Sequence, residues 1–91
     1  MKNDRFKYRI KSLKILNNFL VEITFEDGKI QKINFAEVEH KGWWKELEDL
    51  TYFNKVKISD IKHLEWPNGQ DFKPEHLYYW EDYRKLYMKS N

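Results

Sequence analysis

The side chains best suited to metal or acid–base chemistry in this 91-residue chain are three histidines, His40, His63 and His76. A catalytic zinc ion takes three protein ligands, commonly with two of them at a local spacing such as i and i+4. No two of these histidines have that spacing, and the chain contains no cysteine to supply a thiolate. The sequence therefore predicts neither a metal site nor a bound cofactor. In a strand, His63 would lie on the face opposite to that of Leu64 and Trp66, so we expect it to face solvent.

The chain offers few serine nucleophiles. Its serines are Ser12, Ser59 and Ser90. A serine nucleophile on a strand-to-helix elbow is flanked by glycines, and none of these three is. Each of the three glycines falls at a predicted turn or helix end, which leaves none for a phosphate-binding loop. We therefore expect a protein that is not an enzyme.

A group of polar and aromatic residues with ordered spacing comprises Trp66, Asn68, Gly69 and Asp71. Polar groups held on a rigid turn lose little freedom on binding, so this group could grip a ligand or a partner. In the structural interpretation, Asn68 and Gly69 form a turn, Asp71 accepts backbone N–H bonds, and Trp66 covers the core. We favour the structural interpretation and keep the binding one open.

A basic stretch lies near the beginning of the chain, where Lys7, Arg9 and Lys11 alternate with apolar residues around Tyr8. Such a strand face could follow a nucleic-acid backbone, because each neutralised phosphate releases counterions. It could also be the solvated edge of a sheet, where lysines prevent edge-to-edge aggregation. A net charge of +2 is small for a nucleic-acid-binding protein, so we favour the edge strand.

The C-terminal residues predict an amphipathic helix over about 74–89, because proline at 74 is well tolerated at the first helical position. Its apolar and aromatic residues span an arc of about 200°, whereas a helix packed on a sheet buries a stripe of a little over 100°. We expect Leu77, Trp80 and Met88 to face the sheet. The excess surface is typical of an interaction site, and its residues are Tyr79, Tyr83, Leu86 and Tyr87.

The elements that would position these residues begin with an antiparallel meander of three strands. Alternation of apolar and polar residues predicts strands over about 6–16, 19–25 and 30–33. The alternation slips by one residue near Ser12, which predicts a bulge there. Two further residue pairs predict the turns: Asn17 with Asn18, and Asp27 with Gly28, the latter as a two-residue type I′ hairpin.

Shorter elements connect the meander to the C-terminal helix. Asn34 and Glu37 have the spacing of a helix cap and predict a helix over 35–41, and Asp49 predicts another through Phe53. Two short strands are expected near 56–58 and 64–66, followed by a turn at 67–69. The predicted fold class is α+β, with a small, mainly antiparallel sheet of about five strands, short helical connections and a C-terminal amphipathic helix.

Length and composition set the size of the core. The 91 residues favour a single domain over 1–91, and an aromatic content of 18% lets few large side chains fill its core. The lack of cysteine suits a reducing compartment, and no apolar run approaches the ~20 residues needed to cross a bilayer. We therefore expect a cytoplasmic protein without membrane contact.

Three segments carry a family resemblance: residues 21–28, residues 53–58 and, above all, residues 66–78, which run Trp-Pro-Asn-Gly-Gln-Asp-Phe-Lys-Pro-Glu-His-Leu-Tyr. The chain resembles, over about residues 8–79, the bacterial family known as domain of unknown function 2442. This resemblance implies a small α+β fold without an established activity. Many members are encoded beside small toxin-like proteins, which implies an antitoxin-type or regulatory role. Some carry a helix-turn-helix segment that this sequence does not show.

These observations predict a non-catalytic protein-interaction module. Its expected partner is a small toxin-like protein or a second copy of the chain, as a homodimer. The competing prediction is a nucleic-acid-binding transcriptional regulator that uses Lys7, Arg9 and Lys11.

Overall fold

The computed structural model describes residues 8–39 and 42–88, apart from the side chain of Trp43. Three strands come first, β1 (Ile10–Asn17), β2 (Leu20–Phe25) and β3 (Ile30–Asn34). Two 3-10 helices (Phe35–Glu37 and Gly42–Glu48) and helix α1 (Leu50–Phe53) lead to strands β4 (Lys57–Ile58), β5 (Leu64–Glu65) and β6 (Asp71–Phe72). Helices α2 (Pro74–Tyr78) and α3 (Trp80–Tyr83) and a 3-10 helix (Arg84–Leu86) follow. The fold class is therefore α+β, as predicted.

Strands β1, β2 and β3 form an antiparallel sheet in which β2 is central. In β2 the alternating residues Val21, Ile23 and Phe25 are buried, while the residues between them are half-buried. This is the pattern of a sheet that covers a core with one face. The predicted three-stranded meander is confirmed.

The first strand begins later than predicted. β1 begins at Ile10, with Tyr8 and Arg9 before it, and residues 6 and 7 lie outside the described residues. The predicted bulge is confirmed, because the register of β1 against β2 shifts between Ile10 and Ser12. A bulge of this kind bends an edge strand and makes it a poor template for aggregation.

The turn between β2 and β3 is longer than the predicted two-residue type I′ turn. The Phe25 N–H donates to the Lys29 carbonyl, and the Gly28 N–H donates to the Phe25 carbonyl, both at 2.9 Å. Gly28 has a φ of 97°, whereas Asp27 does not adopt a positive φ. The prediction was wrong because the Asp27 carboxylate accepts a hydrogen bond from the Lys29 N–H at 2.9 Å, which holds the longer loop.

Strands β4, β5 and β6 form a second antiparallel sheet, so the predicted single sheet of about five strands is wrong. β5 pairs with β4 on one side and with β6 on the other. Each of these strands is two residues long, which is too short for alternation to mark it, and β6 has no counterpart in the prediction. A hydrogen bond from the Ile10 N–H to the Lys62 carbonyl, at 3.1 Å, links the two sheets.

Both predicted helix caps are present, although the first helix is shorter than expected. Asn34 Oδ1 accepts from the Ala36 N–H at 3.0 Å, and Asp49 Oδ1 accepts from the Thr51 N–H at 2.9 Å. The helix after Asn34 ends at residue 37 because Val38 is extended and forms a bridge elsewhere. Residues 40 and 41 lie outside the described residues.

The predicted C-terminal helix is broken into short pieces. It begins at Pro74 as predicted, but Tyr79 has a φ of −105° and a ψ of 44°, which interrupts it. The break lets Leu77, Tyr78 and Trp80 all be buried, at 0, 9 and 6% exposed. On a straight helix, which turns by about 100° per residue, Leu77 and Trp80 would share one side, but Tyr78 would point about 100° away from Leu77 and about 160° away from Trp80. The prediction failed because it assumed one straight helix.

The segment after the break packs back against residues 37–39, at the end of the 3-10 helix that follows β3. The Glu39 N–H donates to the Tyr87 carbonyl at 2.7 Å, and Val38 forms an antiparallel bridge with Met88. The Arg84 guanidinium also pairs with the Glu37 carboxylate at 3.0 Å. These contacts fix residues 84–88 in place.

One hydrophobic cluster joins buried residues from both sheets and from the C-terminal helices. At its centre the rings of Phe35, Phe53, Trp66 and Phe72 have centroids between 5.2 and 6.3 Å apart, which is the range of favourable aromatic contacts. Trp66 is only 1% exposed, and its Nε1–H donates to the Phe53 carbonyl at 2.9 Å. The core is therefore built mainly from aromatic rings.

Substitution of Trp66 tests how much the fold depends on this ring. Trp66→Ala should lower the free energy of unfolding by about 3–5 kcal/mol, because it removes a buried aromatic side chain and leaves a cavity. Trp66→Phe keeps a ring in the cluster and should cost less. Urea denaturation measures both values. Equal midpoints for the wild type and Trp66→Ala would contradict a structural role for this segment.

Candidate functional site

The turn after β5 is built as its sequence predicts. Gly69 has a φ of 95°, and its N–H donates to the Trp66 carbonyl at 2.8 Å. The Trp66 N–H in turn donates to the Gln70 carbonyl at 3.0 Å, which closes the turn. Glycine is needed here because side chains disfavour a positive φ.

A network of side-chain hydrogen bonds fixes this turn to the preceding helices. The Glu46 carboxylate accepts two bonds from Asn68 Nδ2, at 2.8 and 2.9 Å, and one from Gln70 Nε2 at 2.8 Å. The Tyr52 hydroxyl donates to Gln70 Oε1 at 2.7 Å and accepts from the Asn68 N–H at 2.9 Å. We call Glu46, Tyr52, Asn68 and Gln70 the turn network. Because Gln70 is fully buried, its amide depends on these partners.

Sequence reasoning identified Asn68 but missed Glu46, Tyr52 and Gln70. Glu46 lies 22 residues from Asn68 and 24 from Gln70, so no local pattern connects them. The one signal in the sequence is a glutamine beside a strong turn. The network gives Asn68 a long-range structural contact in addition to its place in the turn.

The network also sets the charge of Glu46. The hydrogen bond from Asn68, followed by the one from Gln70, lowers the pKa of the Glu46 carboxyl, while burial opposes the shift. The carboxylate therefore stays ionised at neutral pH and is a poor general acid.

The expected role of Asp71 is not seen. Asp71 is exposed on β6, in register with Glu65. Among the described residues, its carboxylate accepts no hydrogen bond from the turn or from the start of α2. The sequence argument failed because it placed Asp71 in a loop, whereas the residue belongs to a strand whose backbone pairs with β5.

The predicted interaction residues divide between the core and the surface. The His76 and Tyr83 rings are stacked, with centroids 4.1 Å apart and planes 14° apart. Leu86 is 70% exposed. Tyr83 and Leu86 are three residues apart around a 3-10 turn, which places their side chains on one side. We call His76, Tyr83 and Leu86 the C-terminal patch.

Tyr87, which was predicted to be an interaction residue, belongs mostly to the core. Its ring packs against Phe72 and Trp80, with centroids 5.5 and 5.6 Å away. Its hydroxyl lies 2.6 Å from Nδ1 of His76. Burial, with a smaller contribution from the Asp71 carboxylate, raises the pKa of the Tyr87 hydroxyl. The Tyr87 hydroxyl therefore keeps its proton at neutral pH, and its short contact with the His76 ring fixes the position of both side chains.

Tyr79 also leaves the predicted outward strip. Its ring packs edge-on against Tyr8 and Tyr78, with centroids 5.8 and 4.9 Å away, and its hydroxyl accepts a hydrogen bond from the Tyr8 hydroxyl at 3.4 Å. The helix break at this residue turns the ring inward, which the straight-helix argument could not anticipate.

The basic stretch does not form one strand face in the described residues. Arg9 precedes β1 and is exposed, while Lys11 is exposed at the bulge. Lys7 lies outside the described residues. The bulge interrupts the alternation that would align these side chains, so the nucleic-acid interpretation loses its regular spacing.

The histidines are dispersed. His76 belongs to the C-terminal patch, His63 is half-buried rather than facing solvent, and His40 lies outside the described residues. Within 8–39 and 42–88 there is no group of three or more His, Cys, Asp or Glu residues that could hold a metal ion. None of the helices in these ranges is long and apolar enough to cross a membrane.

The chain also matches a known protein family. The family described as "Protein of unknown function (DUF2442)" matches residues 10–83. No curated protein and no solved structure matches the chain. The matched range contains both sheets, the turn network and α3, and it ends before Leu86.

The pH dependence of stability tests the turn network. Because the pKa of Glu46 is lower in the folded than in the unfolded chain, its contribution to stability is complete well above the ordinary glutamate pKa of 4.5 and is lost as the pH falls through the folded pKa. Glu46→Gln should therefore be less stable than the wild type at neutral pH, and the difference should shrink on acidification. Urea unfolding at several pH values measures it, with Glu26→Gln, an exposed turn glutamate, as the control. A difference that does not change with pH would contradict this.

Proposed function

The chain belongs to the DUF2442 family of proteins of unknown function, and on that premise we propose that it is a non-catalytic protein-interaction module. It binds a small protein partner through the C-terminal patch. Its role is of the antitoxin or accessory regulatory type, with a small toxin-like protein as the partner.

The observation that carries this proposal is the exposure of Leu86. At 70% it is the most exposed of the large hydrophobic side chains described. It lies beside Tyr83, whose ring is backed by His76 at 4.1 Å. An aliphatic anchor next to a pre-positioned aromatic ring is typical of the centre of a protein interface.

The surroundings of the patch also suit a protein partner. The ion pair between Arg84 and Glu37 joins side chains that are 44 and 41% exposed. Charged groups of this kind commonly form the polar rim around an apolar contact. The segment that carries Leu86 is fixed to Val38 and Glu39, so binding would require little ordering of the backbone.

The shifted pKa values favour a binding role over a catalytic one. General acid–base catalysis is most effective when the pKa of the group lies near the working pH. In this protein the pKa values of Glu46 and Glu81 are lowered and that of Tyr87 is raised, so each moves away from neutrality. None of these three groups is therefore tuned for general acid–base catalysis near neutral pH.

Photo-crosslinking tests the proposed surface. A photoreactive amino acid at position 86 should form an adduct with one small protein in the source cell, because the partner covers this side chain. The matched control is the same amino acid at position 30, since Ile30 is 55% exposed on the first sheet. Adducts that are absent at 86, or identical at 86 and 30, would contradict the proposal.

A substitution provides the second arm of that test. Leu86→Glu should abolish the adduct when the crosslinker is placed at the neighbouring position 85, because a buried carboxylate opposes association. Thermal melting should be unchanged, since Leu86 makes little contact with the core. An unchanged adduct in Leu86→Glu would show that the partner binds elsewhere.

A further inference from the structure

A second exposed aliphatic side chain lies on the turn between β4 and β5. Ile61 is 66% exposed at this turn. The Ser59 N–H donates to the His63 carbonyl at 2.8 Å, and the Lys62 N–H donates to the Ser59 carbonyl at 2.9 Å. The Ser59 hydroxyl accepts from the His63 N–H at 3.2 Å. These hydrogen bonds restrain the turn, so the Ile61 side chain stays exposed to solvent.

The turn is further restrained at Lys62. Its φ is 67°, a conformation that is uncommon for residues other than glycine. Its carbonyl accepts the hydrogen bond from the Ile10 N–H that links the two sheets. The surrounding hydrogen bonds thus hold Lys62 in an unfavourable backbone conformation, and such residues cluster at ligand-binding and switch segments.

Two adjoining clefts share Ile61 and His63 as lining residues. One, of about 470 Å³, is also lined by Tyr8, Arg9, Lys73, Pro74 and Glu75, and we call it the basic cleft. The other, of about 220 Å³, is also lined by Ser59, Asp60, Glu65 and Asp71, and we call it the acidic cleft. The basic cleft holds two cationic side chains and one carboxylate, Glu75, whereas the acidic cleft holds three carboxylates, so the net charge changes sign between the two clefts that share Ile61.

The acidic cleft contains a pairing that the fold alone does not favour. Glu65 and Asp71 are in register on adjacent strands, and like charges directly opposite each other destabilise a sheet. Lys57 lies in register with Glu65 on its other side and offsets one of these charges. With Asp60 included, the cleft keeps an excess of negative charge that a cation from outside would relieve.

We propose that this surface, the Ile61 face, binds a second copy of the chain about a two-fold axis. A two-fold axis that lies in the interface and passes near Ile61 brings the basic cleft of each copy opposite the acidic cleft of the other. Lys73 and Arg9 of one copy then face Asp60, Glu65 and Asp71 of the other, and the two Ile61 side chains meet near the axis. Such an isologous contact requires a self-complementary surface, which this arrangement of charge provides.

The charge pattern favours a second copy over a nucleic acid. A phosphate backbone is uniformly negative, so the acidic cleft would repel it while the basic cleft attracted it. The Ile61 face shares no residue with the C-terminal patch. The dimer therefore does not depend on the proposed function, and each can fail without the other.

Sedimentation tests the dimer directly. The wild type should change from monomer to dimer between low and high micromolar concentration. Added salt should weaken the dimer, because it screens exposed charges. Ile61→Ser should weaken the association by about tenfold, the equivalent of roughly 1.4 kcal/mol. Ile30→Ser, which removes a similarly exposed isoleucine elsewhere, should leave it unchanged.

A charge-swap experiment separates this arrangement from other dimers. The variants Arg9→Glu/Lys73→Glu and Asp60→Lys/Asp71→Lys should each remain monomeric, because each places like charges opposite one another. An equimolar mixture should form a heterodimer, since both contacts then pair opposite charges. Circular dichroism of each variant shows whether it is folded, and the mixture provides the rescue that a misfolded variant would not.

Three results would overturn the proposal. The first is a wild type that stays monomeric at every concentration, and the second is a mixture of the charge variants that does not associate. The third is a dimer that is lost in Leu86→Glu but retained in Ile61→Ser, which would place self-association on the C-terminal patch. Binding of a single-stranded oligonucleotide that Arg9→Glu/Lys73→Glu abolishes, with no wild-type dimer, would instead assign the face to nucleic acid.

Discussion

The fold depends above all on the position of the Trp66 ring. It contacts Phe35 in the 3-10 helix that follows the first sheet, Phe53 in α1 and Phe72 in the second sheet. Its one polar atom is satisfied by the Phe53 carbonyl, so the ring can be buried without an unpaired donor. The strands of the second sheet have two residues each and cannot hold together by backbone pairing alone. Aromatic packing around Trp66 supplies the cohesion that these strands lack.

The turn network extends this arrangement to the surface. Trp66 comes just before the turn and is held by the core. Asn68 within the turn and Gln70 just after it are held by hydrogen bonds to Glu46 and Tyr52. The turn is therefore restrained from two directions. This explains why the segment that looks most like a binding motif in the sequence is occupied by structural contacts. The two most exposed large hydrophobic side chains of the described residues, Leu86 and Ile61, lie elsewhere, in the C-terminal patch and the Ile61 face.

The parts of the fold that could be predicted are those whose signals are local. The alternation of Val21, Ile23 and Phe25 and the caps at Asn34 and Asp49 each depend on residues within a few positions, and each is found in the structure. The two-residue strands, by contrast, are defined by partners distant in sequence. The sequence has no local signal for the helix break at Tyr79, because tyrosine is compatible with a helix.

The candidate site shows the same division. Leu86 could be placed on the surface from helical periodicity, and it is exposed. Tyr79 and Tyr87 could not, because the break at Tyr79 redirects both rings toward other aromatic side chains. The charge pattern of the Ile61 face was also beyond sequence reasoning. It arises only when three separate segments, near residues 9, 60 and 73, meet at one surface.

The ion pair between Glu37 and Arg84 joins residues 47 positions apart, and the bridge between Val38 and Met88 closes the same long loop. The position of the exposed Leu86 side chain is therefore set by residues 37–39, near the middle of the chain. A substitution at Glu37 or Val38 would act on the C-terminal segment through the fold, at a long distance in sequence.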